Sequence, residues 1–361
     1  MGESIFYFPC FVCFFTNYQK GDPMGYKFTS QSINQLFQDL SKDYLIYGPT
    51  RFEGEGPFSD TDSIRYGEIQ AIEDLELQEK SHYSMKEVFL PISETLFYFT
   101  EDEVKESKAP FQKEALVFLR SCDLHSVKRL DAIYLENGFE DHYYNRLRDK
   151  IHFVLIGCPE SFSNCFCVDM ETNISSNYSA SIDCIDGHYL MDLKEEALQE
   201  IFEKNADEVL EVTPQYVTET KTRVRLSDKV DPVKIASHDF WDQYDKRCIA
   251  CGRCNFACPT CTCFSMQDIF YQDNGQAGER RRVHASCMVD GFTNVAGGGQ
   301  YRPKNGQRMR FKTLHKIYDF KKRFGYHMCT GCGRCDDICP EYISFSTMVT
   351  KVADISEGKE D

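Results

Sequence analysis

The sequence predicts an α/β amino-terminal domain, with some α+β character, followed by a smaller α-helical domain that is rich in cysteine. Near-continuous apolar runs of strand length at 115–119 and 151–156 flank a segment whose apolar residues recur at helical intervals. This pattern is typical of a βαβ unit with parallel strands buried on both faces. Beyond residue 235 the cysteines become dense and the apolar spacing becomes helical, so we place a domain boundary there.

The composition supports a folded, two-domain protein and limits its partners. The chain has 361 residues, of which 42% are hydrophobic and 27% charged, enough to bury a core. Its formal net charge of -16 disfavours binding of the whole chain to nucleic acid or to anionic membranes. Eighteen cysteines without an export signal favour metal binding over disulfides, and we expect a cytoplasmic protein.

Four segments follow from these patterns. We expect an extension outside the fold at 1–23, whose apolar run is too short to span a membrane, and an α/β domain at 24–235. A helical domain at 236–353 and a frayed acidic tail at 354–361 complete the chain.

The local patterns predict the order of elements in the first domain. A helix with one apolar face begins at Ser30, and a short strand at 44–47 stops at Gly48-Pro49, so the domain opens with a helix and then a strand. Two further strands are expected at 88–92 and 96–99, ahead of the βαβ unit.

Two copies of one cysteine motif dominate the second domain. The copies are Cys248-x2-Cys251-x2-Cys254-x3-Cys258-Pro259 and Cys329-x2-Cys332-x2-Cys335-x3-Cys339-Pro340. This is the ligand run of bacterial two-cluster ferredoxins, in which the last cysteine of each run binds the other cluster. The motif therefore predicts an α-helical, ferredoxin-like domain with two [4Fe-4S] clusters. Zinc ribbons fit poorly, because they use pairs of cysteines rather than triplets followed by Cys-Pro.

The ferredoxin rule assigns the eight cysteines to two clusters. We call the ligands of cluster I the first set: Cys248, Cys251, Cys254 and Cys339. Those of cluster II are the second set: Cys329, Cys332, Cys335 and Cys258. Iron with four protein ligands has no open position for a substrate, so these sites predict electron transfer and no catalytic residue.

Four more cysteines form a candidate third cluster, the third set: Cys122, Cys158, Cys165 and Cys167. Cys122 and Cys158 follow the two apolar strands, and parallel neighbours end at the same sheet edge. Cys165 and Cys167 lie in a polar loop, where packing is a poor explanation. Zinc and unmetallated thiols remain alternatives. For Cys184, Cys261, Cys263 and Cys287 we expect packing or a shell around the clusters.

Other motifs limit what the chain does alone. Dinucleotide-binding, Walker and haem-attachment motifs are missing, so we expect no flavin, nicotinamide or haem on this chain by itself. Segment 276–325 carries twelve Lys and Arg against three Asp and Glu. Its arginines and lysines should offset negative clusters or form a docking face for a partner. A solvated basic face is the alternative, and nucleic acid is a weaker one.

Several stretches resemble a known family. CIACGRCNFACPTCTCF, SCMVDGFTNVAGGGQYRP and CTGCGRCDDICPEYISF, with RSCDLHSVKRLD and GCPESFSNCFCVD, resemble the 4Fe-4S dicluster family shared by the iron–sulfur subunits of anaerobic sulfite reductases and the beta subunits of sulfhydrogenases. The resemblance runs from about residue 110 almost to the end, and CPEYISFS looks closer to the sulfite reductase branch. Relatives often have Trp-Asp where this chain has His284-Ala285-Ser286, so no role is carried over to those positions.

The resemblance implies an assembly. A flavin- and nicotinamide-binding subunit would supply electrons, and a sirohaem subunit would reduce sulfite to sulfide. The chain is then interpreted as the non-catalytic electron-transfer subunit of a dissimilatory, NADH-dependent sulfite reductase of anaerobic metabolism. One alternative is the beta subunit of a sulfhydrogenase or related hydrogenase. An alternative of another class is an iron–sulfur interaction protein that senses redox state.

Overall fold

The computed structural model describes residues 25–58 and 60–359. The expected extension at 1–23 lies outside this part of the chain. No helix within the described ranges is long and apolar enough to cross a membrane.

Twelve β-strands are present in the described part of the chain, eight in one sheet and four in another. They are β1 (Gly25–Phe28), β2 (Tyr44–Phe52), β3 (Ser63–Glu68), β4 (Ser93–Phe99), β5 (Val104–Glu106), β6 (Glu114–Arg120), β7 (Ile151–Ile156), β8 (Ala180–Ile185), β9 (His188–Asp192), β10 (Glu208–Leu210), β11 (Phe264–Phe270) and β12 (Gly278–His284).

Twelve α-helices accompany them in the same residues. They are α1 (Ser30–Leu40), α2 (Lys86–Phe89), α3 (Ser121–Tyr134), α4 (His142–Arg148), α5 (Gln199–Asn205), α6 (Pro232–Ser237), α7 (Gln243–Arg247), α8 (Arg253–Phe256), α9 (Asn305–Leu314), α10 (Phe320–Phe324), α11 (Arg334–Asp337) and α12 (Phe345–Glu357).

The large sheet has the strand order β10-β1-β9-β8-β7-β6-β2-β3. Its central strands β2, β6, β7 and β8 are parallel neighbours, and the outer pairs are antiparallel. Strand β6 is buried at six consecutive residues because α-helices and loops cover both faces of the sheet, as its apolar run predicts. The α/β character of this part of the chain is therefore confirmed.

Three local predictions for the first domain are wrong. Strand β1 precedes α1, so the domain does not open with a helix. Strand β2 continues through Gly48-Pro49 to Phe52, because it pairs with β6 only as far as Tyr47 and with β3 beyond it. Pro49 thus lies in the part of β2 that has a partner strand on one side only, where a residue without an amide hydrogen is tolerated. Residues 86–89 form helix α2, where we expected a strand at 88–92.

The small sheet, in the order β11-β12-β4-β5, joins the two halves of the chain. Strand β12 pairs with β4, from the amino-terminal half, and with β11. The helical prediction for residues beyond 235 missed this hairpin because β11 is exposed along almost its whole length and β12 is rich in arginine. Neither strand shows the alternating hydrophobic pattern of a half-buried strand.

Helices pack around the cysteine motifs in the last third of the chain. Trp241, Met309 and Met348 belong to one buried cluster there. Helix α12 starts after Ser344, whose side chain accepts a hydrogen bond from the Thr347 amide, and it runs past the start of the expected acidic tail. Ile355 is fully buried, so the first part of the expected tail is helical and contributes one side chain to the core.

Candidate metal centres

The first set of cysteines surrounds one cavity. Cys248 follows helix α7, Cys251 and Cys254 lie on the loop and helix α8 that come next, and Cys339 follows α11. All four line the cavity, together with Cys335. Cys339 of the second motif therefore lies beside three cysteines of the first motif, and their assignment as ligands of one cluster stays a prediction.

The second set surrounds a neighbouring cavity. Its lining includes Cys258, Cys329, Cys332 and Cys335, the last of which also reaches the first cavity. Lys312 and Phe345 likewise line both cavities. The two sites therefore share a wall, as expected if the two motifs exchange their last cysteines.

Backbone amides point at the sulfurs in both motifs. The Ala250 amide donates to Cys248 Sγ at 3.4 Å, and the Gly331 amide donates to Cys329 Sγ at the same distance. Gly331 has φ +65°. Glycine adopts such angles without a Cβ clash, so the loop can turn its amides toward sulfur. Such hydrogen bonds favour the thiolate form that iron binds.

Three buried lysines near the first and second sets show whether a negatively charged group fits between the thiols of these sets. Lys86, Lys312 and Lys316 are each at most 4% exposed, and none pairs with a carboxylate in the described part of the chain. Lys86 donates to the carbonyl oxygens of Cys258 and Cys261, and Lys316 to Thr260 Oγ1. A buried cation requires a counter-charge. Clusters held by thiolates supply it, so the residues present fit [4Fe-4S] groups.

Two thiols of the second set have a pKa above the ordinary range of cysteine. Burial raises the pKa of Cys329 to about 12 and that of Cys332 to about 11, with Cys258 nearby adding to both shifts. Without a metal these thiols are protonated at neutral pH, so cluster binding must release protons.

The third set also surrounds one cavity. Cys122 lies in the first turn of α3, Cys158 follows β7, and Cys165 and Cys167 lie in the next loop; all four line this cavity. Burial and the adjacent Cys165 and Cys158 thiols raise the pKa of Cys167 to about 12. The strand ends therefore bring these cysteines together at the carboxyl edge of the sheet, and the cluster that they would bind stays a prediction.

Within the described residues, no three Cys, His, Asp or Glu side chains converge closely enough to hold a single metal ion. A mononuclear zinc site in the third set therefore has no support from the structure.

The remaining cysteines fall into two groups. Cys287 is buried and accepts a hydrogen bond from Asn255 Nδ2 at 3.1 Å, and Cys263 packs in the same cluster. The Cys261 thiol and the buried lysines lower the pKa of Cys258, a second-set residue. These three form a shell around the motifs. Cys184 is exposed, so the packing role expected for it is wrong.

Four of the twelve basic residues in this segment are buried: Arg282, Arg308, Lys312 and Lys316. Arg282 is buried and pairs with Glu94 and Asp141, and Arg280 pairs with Asp268. Lys312 lines both the first and the second cavity, where its positive charge could offset negative clusters, as expected from the sequence for part of this segment. The paired arginines leave less of the segment for a docking face.

Sequence reasoning missed several residues around the sites. Lys80 and Lys86 come from the amino-terminal half, and Arg334 pairs with Asp123 across the two halves at 2.6 Å. Single charged residues in polar segments give no periodic signal. Only the fold brings them to the cysteines.

Comparison with known proteins agrees with the cysteine geometry. Residues 247–343 match the family model of the 4Fe-4S dicluster domain. This range contains all eight residues of the first and second sets. The chain is also 26% identical to sulfhydrogenase 2 subunit beta of Pyrococcus furiosus over 341 residues, which cover 90% of this chain and 97% of the relative. No solved structure matches the chain.

These matches support an iron–sulfur, electron-transfer protein with a dicluster domain. They also favour the sulfhydrogenase alternative over sulfite reductase, because the relative is named as a sulfhydrogenase subunit and its alignment covers nearly the whole chain.

Proposed function

We propose that this chain is the electron-transferring iron–sulfur subunit of a sulfhydrogenase-type oxidoreductase complex. The observation that carries the proposal is the similarity to a sulfhydrogenase beta subunit across 90% of the chain, well beyond the dicluster domain. Such a subunit needs partners, one that exchanges electrons with a nicotinamide through a flavin and one that carries out the terminal chemistry.

The proposed ligands are the three cysteine sets. The first and second sets would each hold one [4Fe-4S] cluster, and the third set a further iron–sulfur cluster. A bound cluster of this type accepts and donates single electrons. The chain's own residues keep the sulfurs spaced, exclude water and supply buried positive charge, and they leave no ligand position open for a substrate.

A dissimilatory, anaerobic sulfite reductase remains the second candidate. The ending CPEYISFS favours it, since that stretch resembles the sulfite reductase branch. In that assembly the chain would connect a flavin- and NADH-binding subunit to a sirohaem subunit. Both candidates use the same cysteines and differ in the partner that receives or supplies the electrons.

Purification of the native complex without air separates the candidates. We expect the chain to co-purify with nickel. We also expect hydrogen to reduce the iron–sulfur clusters of the complex, as seen in their absorption spectrum. A sirohaem absorption band together with sulfite-dependent reoxidation would instead establish the sulfite reductase candidate. Tight binding to a regulator, with no turnover-linked oxidation, would establish a redox sensor and overturn both.

Iron counting tests the cysteine assignment. Three four-iron clusters give about twelve irons per chain, and two give about eight. Cys165→Ser should lose about four irons. Cys184→Ser is the matched control, because Cys184 is an exposed cysteine of the same half of the chain and should lose none. Equal iron in both variants would remove the third cluster from the proposal.

A further inference from the structure

The loop that carries the third set lies directly against the second cysteine motif. Cys165 Sγ is 3.5 Å from the carbonyl oxygen of Cys332. The Phe166 amide donates to the Gly331 carbonyl at 2.8 Å, and Thr172 Oγ1 donates to the Thr330 carbonyl at 2.6 Å. Three contacts within a few residues join the third set to the second.

Two glycines show how closely these loops approach. A Cβ added to Gly331 would lie 2.6 Å from the carbonyl carbon of Phe166, and one added to Gly333 would lie 2.3 Å from the Asn164 oxygen. The second motif therefore packs backbone to backbone against the loop of the third set. No side chain can fit between them there.

Lys80 connects the same two sets electrostatically. Its Nζ lies 3.7 Å from Cys165 Sγ and donates to the Cys332 carbonyl at 2.9 Å. Its ion pair with Asp337 fixes this position. A single ammonium, on a side chain that is 10% exposed, thus lies between one sulfur of the third set and the backbone of one ligand of the second.

The first set lies on the other side of the second set. Their two cavities share Cys335, Lys312 and Phe345. The cavity of the third set shares no lining residue with either of them, and it is the loop of the third set that contacts the second motif directly. The second set is therefore adjacent to both others. Electron tunnelling between clusters falls steeply with distance, so adjacency decides the route.

The two outer sets face different surroundings. Cys251 of the first set is exposed, and so is Ile249, which lines the same cavity. The wall of the third cavity, including Arg120 and Phe162, is shared with an open cavity of about 640 Å³ at the carboxyl edge of the large sheet. The first and third sets thus approach the protein surface at two different places.

We propose that clusters in the three sets form a linear electron relay in the order third, second, first. In this relay Lys80 is a positioning residue that sets the reduction potentials of the third and second sets. This inference rests on the proposed function, since it requires clusters in all three sets. Electrons then cross the chain between the sheet edge and the surface at Cys251, and every electron passes the second set.

Spin coupling in the reduced, anaerobically isolated complex tests the order. Neighbouring reduced clusters split or broaden each other's electron paramagnetic resonance signals. Cys165→Ser should remove the part of the splitting of the second set's signal that comes from the third set, and leave the signal of the first set unchanged. Cys251→Ser should simplify the second set's signal and leave that of the third set unchanged. Direct coupling between the first and third sets that exceeds either coupling to the second would overturn the order.

Redox titration tests the role of Lys80. Lys80→Met removes a positive charge, which disfavours the more negative reduced state, so the potentials of the third and second sets should become more negative. The first set should not shift, and Lys80→Arg should restore most of the change. Lys86→Met is the matched control, because Lys86 contacts Cys258 and Cys261 and should shift the second set without the third.

The outcomes separate the two levels of the proposal. About eight irons per chain would overturn the third cluster and, with it, the relay. About twelve irons with no shift in Lys80→Met, or with equal shifts in all three signals, would overturn the role of Lys80 while the cysteine assignment stands.

Discussion

Asp183 is a buried carboxyl group near the carboxyl end of strand β8, and it titrates abnormally. Burial raises its pKa to about 6, against the hydrogen bond that it accepts from the Gln215 amide and the nearby charge of Arg120. The folded pKa lies above the unfolded value of 3.8. Its contribution to stability is therefore fully present below about pH 4 and is lost as the pH rises through about 6.

Asp183→Asn should accordingly stabilise the protein at about pH 8 by roughly 1–3 kcal/mol and have a much smaller effect at about pH 4. An amide can still accept the Gln215 hydrogen bond and carries no charge to bury. Melting temperatures of the loaded protein at the two pH values measure the difference. Asp186→Asn, in the exposed turn of the same hairpin, is the control. An equal effect of Asp183→Asn at both pH values would contradict the prediction.

Single residues also show how far spacing alone can predict a site. The cysteines of the first and second sets follow from the motif, because ligand spacing on one loop is fixed locally. Lys80 and Lys86 could not be predicted, since their partners lie more than 80 positions away along the chain. Local pattern carries no information about such contacts.

At the scale of elements, the loop around Gly331 in the second motif packs closely against the loop that carries the third set. Gly331 and Gly325 both have positive φ, +65° and +87°, but only Gly331 is crowded by a neighbouring backbone. Alanine costs about 1–2 kcal/mol at either position from its φ alone. At Gly331 it must in addition push the Phe166 loop away.

Gly331→Ala should therefore lose iron from the second and third sets, whereas Gly325→Ala should keep its full iron content with a slightly lower melting temperature. Iron per chain and the paramagnetic signals of the reduced protein measure this. Full iron in Gly331→Ala would show that the close packing of the two loops is not required for the sites.

The elements themselves were predictable where burial sets the sequence pattern. Strands β6 and β7 are continuous apolar runs because helices and loops cover both faces, and helix α1 has one apolar face. Strand β11 was missed because its side chains are exposed and its pairing with β12 is a backbone property. Backbone pairing at an exposed edge leaves almost no trace in composition.

At the scale of the whole molecule, the expected boundary near residue 235 stays a prediction, but the structure has many contacts across it. Strand β12 pairs with β4, and Lys86 donates a hydrogen bond to the carbonyl oxygen of Cys258 in the first motif. The cysteine sites are thus completed by residues from both halves. A boundary inferred from composition divides the chain into segments, but composition alone cannot show that the two segments pack into a shared core.

The ion pair between Arg334 and Asp123 tests this sharing. Both side chains are almost fully buried, and the two hydrogen bonds of the guanidinium to the carboxylate are 2.6 and 2.8 Å long. Removing one partner leaves a buried charge without its counter-charge, at a cost of about 3–5 kcal/mol. Arg334→Met should therefore destabilise both halves together, in one unfolding transition seen by circular dichroism and by loss of iron–sulfur absorbance.

The double variant Arg334→Met with Asp123→Asn should recover a large part of that loss, because no unpaired charge is left buried. Arg223→Met is the matched control: Arg223 also pairs with an aspartate, Asp169, but its side chain is 66% exposed, so about 1 kcal/mol or less is expected. Two separate transitions in Arg334→Met, with the amino-terminal half unchanged, would mean that the halves fold independently and that this pair does not couple them.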